Sequence, residues 1–327
     1  MLIATALALS LLAVAMPARA EEPLLLESRI ALPHVAGRID HMAVDVARKR
    51  LFVAELGNGT LDVVDLAAGG QMRRVAGLAE PQGVGYAAAA DLVVVAGAVD
   101  GRVRFFHGAD LAPAGAIALG SDADDIRIDP RRGNIVVGYG SGGLAIIDPG
   151  TRSKIGDIRL AAHPEAFEID AASGRAFVNL PDAKEIAVAD LAAGKQIARW
   201  AVPGLRSNFP MALDQAGASL AVIFRQPPML VLIDARTGAT TLRLDTCGDA
   251  DDVYFDARRR RIYVSCGSGA VDVFAAAGAG YRSLARIATV AGARTSLFAP
   301  QLDRLYVAAR AGPIGSDAAI LVFRPSP

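Results

Sequence analysis

The stretch "DDIRIDPRRGNIVVGY", residues 124–139, is one of seven similar segments in a chain of 327 residues. The other six begin at Asp40, Gln82, Glu165, Phe209, Asp251 and Thr295. The spacings between successive starts are 42, 42, 41, 44, 42 and 44 residues. A nearly constant period of this length predicts an array of like structural units.

Each unit reads as four short strands. The first strand is apolar and ends at a turn residue, such as Asp129 or Asp256, whose carboxylate can cap a tight turn. A second and a third apolar strand follow, and the fourth strand is more polar, as in "KQIARWAV" at 195–202. Short apolar runs separated by turn signals indicate strands. The run "AAAAD" at 87–91 favours a helix by propensity, but the repeat register predicts a hairpin turn there.

Four-stranded units of this length are typical of propeller blades. The seventh unit supplies only three strands, and "LLLESRIAL" at 24–32 offers the fourth. Docking it there would cover two open sheet edges. We therefore predict an all-β fold: a seven-bladed β-propeller with four-stranded antiparallel blades, closed by the N-terminal strand joining the last blade. The predicted single domain covers 21–327, with blades at about 37–77, 78–120, 121–161, 162–204, 205–246, 247–289 and 290–323 plus strand 24–32.

The first twenty residues, "MLIATALALSLLAVAMPARA", form an apolar run that ends in Ala18-Arg19-Ala20. This small-x-small ending predicts a secretory signal peptide over 1–20, cleaved after Ala20. An uncleaved anchor is the alternative, but the run is short for a membrane span. We expect a periplasmic or secreted protein with no membrane insertion after cleavage.

Two phrases resemble a known family. "LFVAELGNGTLDVVDLAAGG" at 51–70 and "FVNLPDAKEIAVADLAAGKQIARW" at 177–200 are similar to the YVTN-type repeat of exported bacterial propellers, the YncE-like proteins. The resemblance covers the chain from about Glu22 to Pro327. It implies a propeller fold and export, and it brings no particular reaction with it.

The composition disfavours some functions. Lys and Arg together number 34, as do Asp and Glu, so no broad basic surface for nucleic acid is expected. The chain has no G-x-S-x-G, H-E-x-x-H, P-loop, dinucleotide fingerprint or C-x-x-C-H motif. We therefore assign no catalytic residue from the sequence.

An acidic phrase occurs twice, as "SDADD" at 121–125 and "GDADD" at 248–252. The two copies are three steps apart on a ring of seven, so their loops should face each other across the channel mouth. Other loops on that face carry further polar residues. The candidate ligand-binding residues are Asp40, His41, Gln82, Asp124, Asp125, His163, Glu165, Asn208, Arg225, Asp251, Asp252, Thr295 and Arg310.

These side chains allow several roles. Asp122 and Asp249 are expected to cap backbone N–H groups in their loops. Carboxylates that begin an inner strand need partners when buried, and mutual salt bridges with arginines such as Arg38, Arg206, Arg225, Arg294 and Arg310 are the leading interpretation. Ca²⁺ or Mg²⁺ bound at Asp124 and Asp251 is an alternative. His163 and Glu165 should share one strand face, whereas Asp40 and His41 should point to opposite faces.

The chain contains two cysteines, Cys247 and Cys266, in the same repeat. Pairing Asp256 with Arg261 across the turn sets Asp251 opposite Cys266, with Cys247 just upstream. In an oxidising compartment these cysteines are expected to form a disulfide, the alternative being two free buried thiols.

These observations favour a non-enzymatic module that binds an unknown small molecule or periplasmic protein through its polar channel face. Two alternatives remain at this point. One is a metal-dependent enzyme of the lactonase or lyase type, by analogy with other propellers. The other is an accessory protein of a periplasmic redox system, acting through a partner because no cofactor-attachment motif is present.

Overall fold

The computed structural model describes residues 22–216, 219–312 and 317–327, and it consists almost entirely of strands. The strands form seven four-stranded antiparallel sheets. This confirms the predicted seven-bladed β-propeller. The predicted signal peptide, with its cleavage after Ala20, lies outside the described residues.

The strands follow the repeat in order, four to a blade. Blade 1 has β2 (Met42–Asp45), β3 (Arg50–Glu55), β4 (Thr60–Asp65) and β5 (Gly70–Ala76); blade 2 has β6 (Pro81–Ala87), β7 (Leu92–Gly97), β8 (Arg102–His107) and β9 (Pro113–Ala118). Blade 3 has β10 (Ala123–Ile128), β11 (Ile135–Tyr139), β12 (Gly143–Asp148) and β13 (Ser153–Arg159); blade 4 has β14 (Phe167–Ile169), β15 (Arg175–Leu180), β16 (Glu185–Asp190) and β17 (Lys195–Trp200). Blade 5 has β18 (Arg206–Asp214), β19 (Ser219–Gln226), β20 (Pro228–Asp234) and β21 (Thr240–Asp245); blade 6 has β22 (Ala250–Asp256), β23 (Arg261–Cys266), β24 (Ala270–Ala277) and β25 (Gly280–Ala288). Blade 7 has β26 (Ser296–Ala299), β27 (Arg304–Ala309), β28 (Ala318–Pro325) and the N-terminal strand β1 (Leu24–Leu32). The alanines at Ala88–Ala90 form a short 3-10 turn inside the β6–β7 hairpin, as the repeat register predicted.

The first strand of each blade is the innermost, because first strands contact one another around the ring and β2 meets both β6 and β26. Closure is made by β1, which pairs antiparallel with β28 from Leu24 opposite Pro325 to Leu32 opposite Ala318. Beyond this ladder, the Ser326 hydroxyl donates to the Glu22 carbonyl at 2.6 Å. The two ends of the described chain are therefore joined by both backbone and side-chain bonds.

The hydrophobic core lies between blades rather than inside one. Each of seven buried clusters joins residues of two neighbouring sheets, such as Leu51 of blade 1 with Ile320 of blade 7. Second strands are buried almost throughout, whereas outer strands such as β17 alternate between exposed and partly buried residues. This pattern follows from sheets that pack face to face and leave only the outer edge in solvent.

Charged clamps join neighbouring blades at the hairpin end of the ring. The carboxylate of Asp256 caps its turn by accepting the N–H of Arg259 at 3.1 Å, as predicted for these turn residues. The Arg259 guanidinium then reaches Asp303 of blade 7, with Nη1 2.7 Å from Oδ1. Arg48 makes the equivalent bridge from blade 1 to Asp91 of blade 2, also at 2.7 Å.

A bulge changes the register at the start of several inner strands. In blade 6, Ala250 lies opposite Cys266, and the regular ladder resumes only at Asp252 opposite Ser265. The prediction that Asp251 lies opposite Cys266 was therefore wrong, because the bulge inserts an extra residue into the inner strand. Blade 3 has the same shift between Ala123 and Ile126, which places Asp124 and Asp125 in the bulge.

Candidate functional site: the charged central channel

The first residues of the repeats form a ring at the channel mouth. Five of them line one enclosed cavity of about 20 Å³ together with Arg38, His41, Asp125 and Ala166; they are Asp40, Asp124, Glu165, Phe209 and Asp251. A volume of this size holds about one water molecule or a bare ion. The repeat register thus gathers carboxylates of blades 1, 3, 4 and 6 at one point of the axis.

The two acidic phrases meet here through cationic partners. Asp124 lies 3.8 Å from His41 Nε2 and 3.7 Å from His163 Nε2. Asp251 is paired with Arg225 and with Arg294, whose Nε lies 2.9 Å from Oδ2. These contacts confirm that salt bridges form at the mouth, as expected for carboxylates withdrawn from water.

The first aspartate of each phrase does not act as expected. Asp122 and Asp249 both adopt positive φ, 41° and 59°. The Asp249 carboxylate accepts a bond from Arg294 at 2.9 Å, while Asp122 Oδ2 lies 3.5 Å from His163 Nδ1. Their carboxylates therefore engage side chains of the channel mouth rather than capping their own loops. Blade 2 packs closely against Asp124 of blade 3. A Cβ atom at Gly83 would stand 2.0 Å from the carbonyl oxygen of Asp124, so this close packing requires glycine.

Asp40 and His41 both line this cavity, where Asp40 is paired with Arg38 and His41 lies near Asp124. They precede β2, which begins at Met42, and their predicted opposite orientation stays a prediction. His163 and Glu165 do share one environment, and the charge of His163 acts on the pKa of Glu165. The ring of His163 is held by the Gly140 carbonyl, 2.6 Å from Nδ1.

Below the mouth lies a larger chamber of about 270 Å³ on the channel axis. Its charged and hydroxyl-bearing residues come from six blades: they are His41, Tyr86, Arg127, Glu168, Asp252, Tyr254 and Ser296. Arg127, Glu168 and Tyr254 occupy the fourth position of their repeats. In blades 3 and 6 a register shift precedes the fourth position, so simple alternation from the first-position ring does not apply there. Apolar residues of the inner strands line the rest of the chamber.

Sequence reasoning missed Arg127, Glu168 and Tyr254. The signal was present, because a charged residue interrupts the otherwise apolar runs "IRI" at 126–128 and "FEI" at 167–169. A polar residue in the middle of an innermost strand either faces the channel or lies buried between blades. Only the three-dimensional register distinguishes these cases.

Burial and crowding shift the pKa of several carboxyl groups in the channel. Burial raises the pKa of Asp252 to about 7, and neighbouring Asp251 adds to this effect. Burial likewise raises the pKa of Glu165 to about 7, with further contributions from Asp124 and Asp251. The pKa of Glu168 rises to about 6 through burial, although Arg127 opposes the shift. These acids therefore hold or share protons near neutral pH.

The pKa values of the two channel histidines also rise, and for a histidine this favours the charged form. Burial lowers the pKa of His41, but the surrounding carboxylates, led by Asp125 and Asp40, outweigh burial and raise it to about 9. His163 also reaches about 9, because burial is outweighed by its contacts with Asp124 and Gly140. Both rings are consequently cationic at neutral pH.

Carboxylates outnumber cations in this channel cluster even with both histidines protonated. The acids are Asp40, Asp122, Asp124, Asp125, Glu165, Glu168, Asp249, Asp251 and Asp252, and the cations in contact with them are Arg38, His41, Arg127, His163, Arg225 and Arg294. Even with Glu165 and Asp252 about half-protonated at neutral pH, the cluster keeps an excess of negative charge, which favours cations.

Other candidate residues have roles at the mouth or between blades. Gln82 donates to Asp122 at 3.4 Å, and Arg225 stacks on Phe209 with its guanidinium 3.9 Å from the ring centre. Asn208 is buried and donates to Asn179 of the preceding blade at 3.0 Å. Thr295 donates to the Ile39 carbonyl of blade 1 at 3.2 Å. Arg310 packs beside Gly292. Asn208 and Thr295 therefore join blades and do not line the cavity.

No group of three or more His, Cys, Asp or Glu side chains within the described ranges is arranged to hold a metal ion. Asp124 and Asp251, the candidate metal ligands, are occupied by the histidine and arginine partners given above.

Cys247 and Cys266 form a disulfide, with their Cα atoms 5.9 Å apart, which confirms the predicted pairing. Both cysteines are buried. The bond fixes the loop that carries Asp249, just before Asp251 of β22, to the end of β23. In this way it helps to position one of the two acidic phrases.

Comparisons with known proteins support the fold alone. A chain of Kuenenia stuttgartiensis hydrazine synthase superposes with a TM-score of 0.76 at 16% identity, covering 90% of this chain and 98% of that one. A chain from the crystal structure of the mitotic checkpoint complex gives a TM-score of 0.79 at 14% identity, with 100% of both chains covered. No family model and no curated protein matches the sequence. Among the described residues, no helix has the length and apolarity required to cross a membrane.

Proposed function

We propose that this chain is an exported, YVTN-type, YncE-like propeller that binds a small ligand in its central channel. The apolar leader at 1–20 and the buried Cys247–Cys266 disulfide support export, because stable disulfides belong to oxidising compartments. The repeat phrases at 51–70 and 177–200 support the family.

One observation carries the binding function: charged and hydroxyl groups from separate blades converge on the 270 Å³ chamber. Removing such groups from water costs free energy unless partners compensate for it. The polar groups of this chamber are only partly paired, because the buried Ser296 hydroxyl has no hydrogen-bond partner among the described residues and the Arg127 guanidinium is shared between Asp125 and Glu168. Since partly paired buried groups are costly, we infer that a ligand completes them. Small-molecule sites have this form, with apolar walls and a few convergent polar groups.

The test is a thermal-shift screen with a chemically diverse set of organic cations, anions and neutral molecules. A ligand at a hundred times its Kd stabilises the folded state by about 2.7 kcal/mol, which raises Tm by a few degrees. We expect at least one class to do so with the wild type, and the shift to be lost in the chamber variant Glu168→Gln/Tyr254→Phe.

The matched control is Asp157→Asn/Tyr139→Phe, which removes a carboxylate–tyrosine pair between the outer strand β13 and the end of β11 in blade 3, where Tyr139 Oη lies 2.9 Å from Asp157 Oδ2. The control should respond to the ligand as the wild type does. Channel binding is wrong if no class shifts the wild type, or if the chamber variant keeps the full shift.

A further inference from the structure

We propose that the chamber takes a compact organic ammonium ion, with the cationic group against Glu168 and Asp252 and the apolar body against the inner-strand walls. This inference names the ligand class for the chamber and rests on the proposed function. Two observations support it: the existing ion pairs of the chamber, and the apolar side chains that line the rest of its surface.

Glu168 is incompletely neutralised. Its nearest described cation is Arg127, whose Nε lies 3.5 Å from Oε1. The same guanidinium makes its closer contact with Asp125, so one positive charge serves two carboxylates. The Glu168 side chain keeps 24% of its surface exposed, as a residue lining a cavity should. A carboxylate has about four acceptor sites, and Glu168 retains capacity for a donor inside the chamber.

Asp252 contributes a second carboxylate to the same chamber. One oxygen accepts the backbone N–H of Ser296 at 2.6 Å, and the other lies 3.2 Å from the Tyr254 hydroxyl, which makes its shorter bond, 2.7 Å, to the Ser296 carbonyl. Asp252 makes no salt bridge with a described cation, although the charges of His41 and Arg127 act on its pKa. Glu168 and Asp252 come from blades 4 and 6, so a cation between them would be held from two sides of the ring.

The chamber is unsuited to an anion. Its two cations, Arg127 and His41, are already paired, His41 with Asp124 at 3.8 Å. An anionic ligand would therefore have to compete with fixed carboxylates for both of them. A positively charged donor would instead use the acceptor capacity of Glu168 and Asp252, while Arg127 and His41 remain paired with Asp125 and Asp124. Tyr86 and Tyr254 also line the chamber, and aromatic rings favour cations.

The walls fix the size and polarity of the ligand's remainder. Val44, Val84, Ile128 and Leu297 supply apolar surface to the chamber. Its volume of about 270 Å³ lies just under the usual range for ligand pockets, roughly 300–1,000 Å³. An ammonium group on a single ring or a short branched chain fits this space.

Protonation gives a second signature. Burial raises the pKa of Glu168 to about 6 and that of Asp252 to about 7, so both are partly protonated at acidic pH. A bound cation favours their ionised forms, and binding should release protons. Affinity should therefore increase as the pH rises from 5 to 8.

The experiment is isothermal titration calorimetry of the full chain with benzylammonium, its neutral isostere benzyl alcohol, benzoate and CaCl₂. At pH 8 we expect benzylammonium to bind at least about tenfold more tightly than benzyl alcohol or benzoate, as expected for a charge-assisted contact. Glu168→Gln should weaken benzylammonium about tenfold or more. Asp157→Asn, on the outer edge, should leave it unchanged.

Wild-type titrations at pH 5 and pH 8 keep the test valid if Glu168→Gln folds poorly. Tighter binding at pH 8 supports the proposal, and equal or weaker binding overturns it. If benzoate, benzyl alcohol or Ca²⁺ binds more tightly than benzylammonium and Glu168→Gln alters that binding, the ammonium class is wrong while channel binding stands. If benzylammonium does not bind the wild type, or binds Glu168→Gln equally well, the ammonium site is wrong, and the thermal-shift screen decides channel binding separately.

Discussion

Asp252 accepts a hydrogen bond from the backbone N–H of Ser296, with 2.6 Å between Oδ2 and N, and thereby ties the inner strand of blade 6 to that of blade 7. Asp125 makes the same link from blade 3 to the N–H of Phe167 in blade 4, at 3.3 Å. Each copy of the acidic phrase therefore has two roles, one in joining neighbouring blades and one in placing negative charge at the channel mouth. Its last aspartate joins blades, while Asp124 and Asp251 face the central cavity.

The burial of Asp252 predicts a dependence of stability on pH, because burial raises its pKa even though the bond from Ser296 lowers it. The folded-state pKa of about 7 exceeds the usual value of 3.8, so its stabilising contribution is full below about pH 4 and is lost as the pH rises through 7. Asp252→Asn keeps an acceptor for Ser296 and removes the titration. Between pH 4 and 8 the wild type should lose about 1–3 kcal/mol of unfolding free energy relative to this variant. Urea titrations at both pH values measure the difference, and an unchanged difference contradicts the assignment.

Glu55 offers a second titration away from the channel. It is fully buried, and burial together with Asp62 raises its pKa to about 8 despite contacts with Thr60 and Arg74. Its contribution is full below about pH 4.5 and is lost as the pH rises through 8. Glu55→Gln should therefore be more stable than the wild type at pH 9 by about 1–3 kcal/mol, and similar to it at pH 5.

Denaturant unfolding at these two pH values tests the Glu55 prediction. The control is Glu27→Gln, which removes an exposed acid paired with Arg304. It should shift stability by less than about 1 kcal/mol at either pH. If the unfolding free energies of the wild type and Glu55→Gln depend on pH in the same way, the prediction is wrong.

The arginines at 258 and 259 provide a matched pair for the clamp between blades 6 and 7. The Arg259 side chain is 7% exposed and bonds Asp256, Asp303 and the Ser326 carbonyl. Arg258 is 75% exposed and lies 3.5 Å from Asp303. Arg259→Ala should lower the unfolding free energy by about 3–5 kcal/mol, because it leaves buried Asp256 without its cation. Arg258→Ala should cost less than about 1 kcal/mol. Similar losses for the two variants rule out the clamp.

The Cys247–Cys266 disulfide closes a loop with a sequence separation of 19 residues. Replacing both cysteines by alanine should lower the unfolding free energy by about 3 kcal/mol in the chain-entropy model. Thiol titration of denatured, unreduced wild type should detect no free thiol. Detection of two thiols, or unchanged stability of the double variant, contradicts a structural role for the bond.

The sequence predicted the fold well because the repeat is encoded locally. The period of the segments beginning at Asp40, Gln82 and Asp124 sets the number of blades, and the strand at 24–32 supplies the missing edge. The prediction of the site was less complete. Asp124, Asp251 and Glu165 do converge, but Asn208 and Thr295 turn toward neighbouring blades.

The sequence by itself determined a closed ring of seven blades, the disulfide, and the meeting of two acidic phrases at one mouth, since all three follow from the period and the strand pattern. Only the tertiary structure decided which acid faces the cavity. A bulge of one residue reverses the alternation of side chains at the start of an inner strand. The chamber around Glu168 and Arg127 was also visible only in the tertiary structure. Residues of separate blades form it on the ring axis, so no single repeat contains a pattern that predicts it.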